Sequence, residues 1–369
     1  MLFLRGAGGI ARTALEKKPR VGVTAPVVTL DIPTAFLPAA TAPVAEIPSG
    51  FSSASAVVLP DEFMSVHAPY SLALARPHQP RRLLDGWCAA RPVLGEHTLP
   101  PGGPVCVLPA QIIVSEGTSL SLRTLSSADG PATPVDTLAV ISGGGTTRLF
   151  FVRGGILTLK DLTLDNGGGT KKGSAIFAAA SAKVELLSQV FIQNCVADYG
   201  GAFYLKGAGT TLTVAGPDTH VIIQDNVGLG GGGGLFLTDG ADVLVNNSAL
   251  LVLKNNNINM TSSKGGGFYL ETGAKLMVSG IGSRATIQGN TAEYGGGFYL
   301  TDGAKVFVDG GGMLQIVQNV ATTLGGAFCL RGASTTLTLA GADTRVTIQD
   351  NVGAAGGGGL FLMNGANVL

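Results

Sequence analysis

Charge is scarce in this chain of 369 residues: 13% are Asp, Glu, Lys or Arg, and the 24 basic and 24 acidic side chains cancel. A balanced, sparsely charged surface offers no footprint for nucleic acid or an anionic membrane, so neither is expected as a partner. Aromatic residues are few, at 6%. The four cysteines, Cys88, Cys106, Cys195 and Cys329, lie far apart with no metal-ligand spacing, which implies neither a zinc site nor a disulfide framework. No run approaches the ~18 apolar residues of a membrane helix, so no transmembrane segment is expected. The start, "MLFLRGAGGIARTALEKKPR", is basic but lacks the continuous apolar centre of a secretory signal. It reads as a plain disordered start, with a faint likeness to an organelle transit peptide. Helical periodicity is missing throughout.

Glycine, by contrast, is abundant, at 56 residues. Residues 1–100 are a Pro/Ala-rich leader ("TAPVVTLDIPTAFLPAATAPVAEIPSG") without a sustained period, expected to be mostly disordered. The leader holds Trp87 and three of the four histidines, His67, His78 and His97. Beyond it, short Val/Ile/Leu/Phe/Thr runs alternate with Gly, Asn, Asp and Ser turns, as strands do. Residues 101–172 are expected to form N-terminal capping rungs and residues 173–369 a glycine-rich repeat region, truncated inside a strand.

The repeats are plain. "GGAFYLKGAGTTLTVAGPDTHVIIQDNVGLGGGGGLFLTDGADVL" from Gly200 recurs from Gly325 with most residues unchanged. Inside that duplication a shorter unit is marked by Leu205, Leu237, Leu270, Leu300, Leu330 and Leu362, spaced 30 to 33 residues apart. Each unit carries three strand-like pieces, for example "GFYL", "AKVFVD" and "LQIVQN". Three short strands per repeat predict an all-β, three-faced parallel β-helix whose rungs pair about 4.8 Å apart.

In such a stack, equivalent positions form columns. Ile176, Phe203, Leu235, Phe268, Phe298, Phe328 and Leu360, with the Leu column two residues on, are expected to face inward. The residues between them, Phe177, Tyr204, Phe236, Tyr269, Tyr299, Cys329 and Phe361, are then expected to face outward. An exposed stripe of this kind (Tyr204, Phe236, Tyr269, Tyr299, Phe361) would stack sugar rings or dock a protein. The alternative is that the stripe is covered. Asn194, Asn226, Asn259, Asn290, Asn319 and Asn351 precede the Leu marker by ten or eleven residues and are expected to form a structural amide ladder at a turn. The triplets at 295–297 and its equivalents join strand to strand, with no helix to face an anion and no following GK[ST]. They are read as tight corners, not as a phosphate loop. Asn246 and Asn259 stand in glycosylation sequons.

The pairing of "FIQN" (191–194) with "GGAF" (200–203) resembles the paired FxxN and GGA[ILV] repeat of polymorphic outer-membrane proteins. The echoes "IQDN", "IQGN" and "IVQN", with "GGGF" and "GGAF", extend the likeness over about 173–369. "RLFFVRGGILTLKDLTLDNG" resembles an early rung of the wider pectin-lyase-like superfamily. The resemblance implies a right-handed β-helix at the cell surface or outside the cell. It also implies an adhesin-like, non-catalytic role along an elongated face, with glycan or cell-surface protein as partner; separately, the apolar edge left by the stop inside a strand suggests end-to-end self-association.

The same superfamily contains polysaccharide lyases, hydrolases and epimerases, which is the alternative reading; a purely structural spacer is the third. An enzyme needs paired carboxylates, and the best group is Asp239, Glu271 and Asp302 in successive "LTDG", "LETG" and "LTDG" turns. The same acids could bind Ca²⁺ through oxygen, the one cofactor the sequence suggests. They are equally ordinary turn residues. His220, replaced by Arg345 in the duplicated copy, reads as a solvated strand-edge residue and not as a general base.

Overall fold

The computed structural model describes residues 94–125, 138–258 and 261–369, together with the backbone of strands Leu2–Gly6, Gly9–Thr13 and Val27–Asp31. No helix occurs among the described residues, and so none is long and apolar enough to cross a membrane.

Alternating apolar and polar residues bury one face of every short strand, and stacking successive repeats gives those faces a common core. The result is a parallel β-solenoid with three faces. The first is a nine-stranded sheet running from Ile112–Ser115 to Leu360–Met363, in which Phe203, Leu235, Phe268, Phe298 and Phe328 stand in register. The second face stacks Gly95–Leu99, Ser119–Thr124 and, further on, Thr211–Ala215, Asp242–Asn246, Lys275–Ser279, Lys305–Asp309 and Thr336–Ala340. The third stacks His220–Gln224, Leu250–Lys254, Arg284–Gln288, Met313–Val317 and Arg345–Gln349. In two early coils, faces two and three are one long strand each, Ile156–Asp165 and Lys183–Gln193, turning the corner through Asp161 (φ 50°) and Ser188 (φ 57°).

The predicted inward columns are correct. Ile176, Phe203, Leu235, Phe268, Phe298 and Phe328 are completely buried, as are Leu205, Leu237, Leu270, Leu300 and Leu330. They belong to one continuous core that extends from Leu99 to Ala366. Each such side chain contributes roughly 1.5 to 3 kcal/mol. Phe268, Phe298 and Phe328 stack with centroids 5.0 and 4.6 Å apart, close to the rung spacing itself.

The solenoid starts a few residues ahead of the expected boundary, at Gly95 instead of residue 101, because Gly95–Leu99 already pairs in parallel with Ser119–Thr124. Leu2–Gly6 and Gly9–Thr13 form an antiparallel hairpin, and Val27–Asp31 pairs in parallel with Arg345–Gln349. His97 lies on the first solenoid strand, whereas His67, His78, Trp87 and Cys88 lie outside the described residues. Cys106 is disulfide-bonded, a link that the wide cysteine spacing gave no hint of, while Cys195 and Cys329 are buried free thiols. Burial pushes both free thiols up to about 12, so they are protonated and unreactive in the folded chain.

Candidate functional site

The third face ends in a turn at which the chain leaves the core, and an amide ladder is built just beyond it. Asn226, Asn256, Asn290, Asn319 and Asn351 occupy its rungs, the first four completely buried. From Asn256 onward each side-chain oxygen accepts from the backbone N–H and the amide of the preceding member, as Asn319 does from Asn290 at 3.0 and 2.9 Å. Each amide also donates to a core-strand carbonyl, as Asn290 does to Leu253 at 3.2 Å. Every polar atom is therefore satisfied, and the ladder's role is structural.

Two predicted members need correction. Asn194 is exposed, sits at φ 56° in the turn residue one place earlier, and donates to Asp165 at 2.8 Å. The ladder position in that coil is Cys195, whose N–H donates to Asn226 at 3.0 Å. Asn259 lies outside the described residues, and the coil's ladder member is Asn256. A longer connection between Asn256 and Gly265 moves the amide further from its Leu marker than in other coils.

From the ladder the chain runs along a lateral strand before its glycine corner. These lateral strands pair with one another: Thr170–Lys172, Val196–Tyr199 and Val227–Gly231 form one three-stranded ribbon, and Thr291–Tyr294, Val320–Leu324 and Val352–Gly353 another. Single bridges through Asn257 and Lys264 connect them. The corner glycine Gly295 has φ 66°, and a Cβ there would lie 2.1 Å from the Phe298 carbonyl oxygen. That is a backbone turn with no room for a side chain.

The lateral strands decide the fate of the aromatic stripe. Tyr204, Phe236, Tyr269, Tyr299 and Cys329 do point away from the core, but they are covered, with 5, 4, 7, 4 and 0% exposure, and form a second apolar cluster against which Phe177 and Phe361 pack. Of the two readings, an exposed stripe or a covered one, the covered one holds, with the lateral strands as the cover. The lateral backbone lies so close that a Cβ on Gly231 would sit 2.6 Å from the Tyr269 ring. The rings stack along the column, Phe177 on Tyr204 at 5.3 Å and Tyr204 on Phe236 at 4.9 Å, then turn edge-on at Tyr269 and Tyr299.

A row of cations overlies this column, and the sequence reading missed it. Arg148 lies 5.3 Å from the Phe177 centroid, Lys172 4.7 Å from Tyr204, and Lys264 5.9 and 5.3 Å from Tyr269 and Tyr299. The signal was weak because Lys172 and Lys264 sit in lateral segments of unequal length, where column alignment fails. Between the two lysines opens a groove of about 380 Å³, lined also by Tyr199, Tyr204, Phe236, Ser262, Tyr269 and Glu271. Tyr199, 40% exposed, forms its outer wall and meets Phe236 edge-on at 5.4 Å. Desolvation first, and then the charges of Glu271 and Asp239, push the Tyr204 hydroxyl up to about 12. Tyr269 is raised further by desolvation, the Glu271 charge and a hydrogen bond to that carboxylate. Both phenols are neutral donors at ordinary pH.

The three candidate acids do not converge. Leu237 pairs with Leu270 and Leu270 with Leu300, and the Gly240 N–H donates to Thr272 O at 2.9 Å. Asp239 and Asp302 therefore align with Thr272, not with Glu271, which stands one residue earlier. Asp239 (φ 56°), Thr272 (φ 51°) and Asp302 (φ 52°) are left-handed corner residues, which explains the acids as turn formers. Asp239 and Asp302 are exposed, Asp239 pairs with Lys206 at 3.6 Å, and of the three acids Glu271 alone lines the groove. Among the described residues no group of three or more His, Cys, Asp or Glu is placed to hold a metal ion, so the suggested calcium corner is not assembled there. His220 is exposed at a strand start, its pKa lowered by desolvation and by Lys254.

Comparison with known proteins finds no matching family model, no similar curated protein and no similar solved structure.

Proposed function

We propose that this chain is a non-catalytic, adhesin-like β-solenoid that binds a glycan bearing an acidic group in the groove between Lys172 and Lys264, displayed at the cell surface or outside the cell. The observation that carries the reading is the convergence of two ammonium groups, a half-exposed phenol ring and a single carboxylate in one groove on the lateral flank. Aromatic edges and neutral phenol donors suit sugar rings and hydroxyls, and two cations facing one carboxylate favour an anionic sugar. The extracellular setting is supported by the Cys106 disulfide and by the resemblance of the repeats to those of polymorphic outer-membrane proteins. The scattered acids favour binding over glycoside chemistry, since a hydrolase or lyase needs its carboxylates to face one bond.

The test is a glycan array followed by titration of the best ligand. Lys172→Gln with Lys264→Gln is expected to weaken binding by about tenfold or more, as the loss of charge-assisted hydrogen bonds does. An array without acidic-glycan hits, or a titration unmoved by the double variant, would sink the reading. Alanine at Tyr204, Tyr269 or Tyr299 is a poor probe, because these rings are packed and their loss would unsettle the fold itself.

A further inference from the structure

The second face carries an apolar patch on its outer side. Down the middle of that side one in-register column runs through Ser121, Thr158, Glu185 and Thr213, and it is polar again at Thr338. Between Thr213 and Thr338 the same column reads Leu244, Met277 and Phe307, on three consecutive strands. The flanking residues of each strand, such as Leu276 and Val278 beside Met277, are completely buried, so the three side chains point away from the core. They stay partly exposed. A position that takes Ser, Thr or Glu in neighbouring coils does not need Leu, Met and Phe to hold the fold, and a contiguous apolar group with a polar rim marks an interaction surface.

The rim says what that surface meets. Lys305 and Asp309 bracket Phe307 at the two ends of its strand, on the same outer side. Among the described residues neither side chain makes a hydrogen bond or an ion pair, whereas Lys275 is paired with Asp242 at 3.8 Å. A two-fold axis along the stacking direction, placed over the central column, lays each strand across its own copy and exchanges the strand's two ends. Leu244, Met277 and Phe307 then each meet themselves, and Lys305 of either copy meets Asp309 of the other. Lys275 faces Ser279 and Asp242 faces Asn246, so no like charges are opposed. Packed sheets lie about 10 Å apart, a gap that a lysine and an aspartate side chain bridge together.

We propose that the outer side of the second face is a self-association surface, on which two copies of this chain pair as an isologous dimer about Leu244, Met277 and Phe307. Five strands about 4.8 Å apart, each of five residues at about 3.3 Å, give a footprint of roughly 400 Å² on each copy. That is about half of a standard interface, so the dimer is weak and reversible. None of the three apolar residues lines the groove between Lys172 and Lys264, so the pairing stands or falls separately from glycan binding.

Sedimentation equilibrium of the full chain, from micromolar to millimolar concentration, tests it. A closed monomer–dimer equilibrium is expected. Met277→Thr with Phe307→Thr, which installs the residue that Thr213 and Thr338 supply in the same column, is expected to weaken it by about tenfold or more. Lys305→Asp brings a second acid against Asp309 of the other copy and should weaken it comparably, and adding Asp309→Lys should restore the parental constant. A chain monomeric throughout would overturn the proposal, as would association that survives the threonine pair or runs on past the dimer. Failure of the charge exchange to restore what Lys305→Asp removes would overturn the two-fold pairing. If circular dichroism shows that the threonine pair has lost its β-sheet, the charge variants alone decide the matter.

Discussion

Asn319 receives two hydrogen bonds from Asn290 and gives its own amide to Asn351, Ile287 and Val317. Replacing it with Ala leaves two buried donors of Asn290 without an acceptor, at roughly 1 to 3 kcal/mol for each group orphaned. Asn319→Ala is therefore expected to lower stability by about 3 kcal/mol in urea titrations, while Asn194→Gly should change it by under about 0.5 kcal/mol, since glycine accepts the left-handed turn. Equal effects at the two sites would refute the assignment of Asn319 to the ladder and Asn194 to the turn. The sequence showed that an asparagine recurs near every Leu marker, but not which of two adjacent polar residues turns inward. That choice depends on the turn residue, which can be Asn194, Asp225, Asn255, Gly289, Gln318 or Asp350, all at positive φ. Where two or three asparagines run together, as at 255–257, spacing alone cannot separate the turn from the rung.

At the scale of the element, the lateral strand is the piece that alternation could not reveal. Period two told which face of "GFYL" meets the core, but the other face is covered by lateral segments of unequal length, which no column alignment places. Gly231 holds the clue, being small where Tyr269 demands close approach. Covering the tyrosines couples the fold to alkali. Tyr204 is pushed up to about 12 and Tyr269 is raised as well, against about 10 in an unfolded chain. Below pH ~10 both states hold the phenol proton and stability is unaffected; between ~10 and ~12 the unfolded chain loses protons that the folded chain keeps, so stability falls as pH rises. Tyrosinate absorbance is expected to lag the ordinary phenol curve while the fold persists and to rise together with loss of β-sheet signal. A simple titration centred near 10 with the fold intact would show the rings to be open to solvent.

For the molecule as a whole, the solenoid was legible because its evidence is redundant: a duplication, an evenly spaced Leu marker and three strand-like pieces per unit all pointed one way. The groove was not, since it draws Lys172, Lys264 and Glu271 from three coils whose connections differ in length. The same redundancy makes the stack editable. Removing residues 268–297 joins Gly267 to Phe298 and restores the sequence "GGGFYL" at the corner, so one whole coil is lost with no change of register. That variant is expected to fold with an undiminished β-sheet signal per residue and a lower unfolding midpoint. A chain that failed to fold would show that coils in this stack are not interchangeable.

The amide ladder also bears on how the stack responds to load. Backbone pairs and asparagine bonds alike run from coil to coil, along the direction of stacking, so tension applied along that direction meets the coils as links in series. A chain of links yields where reinforcement is poorest. Here the link changes kind along the stack: from Asn226 onward the amide column ties each pair of coils, whereas the coil of Cys195 is tied to the one before it by Asn194 donating to Asp165 at 2.8 Å.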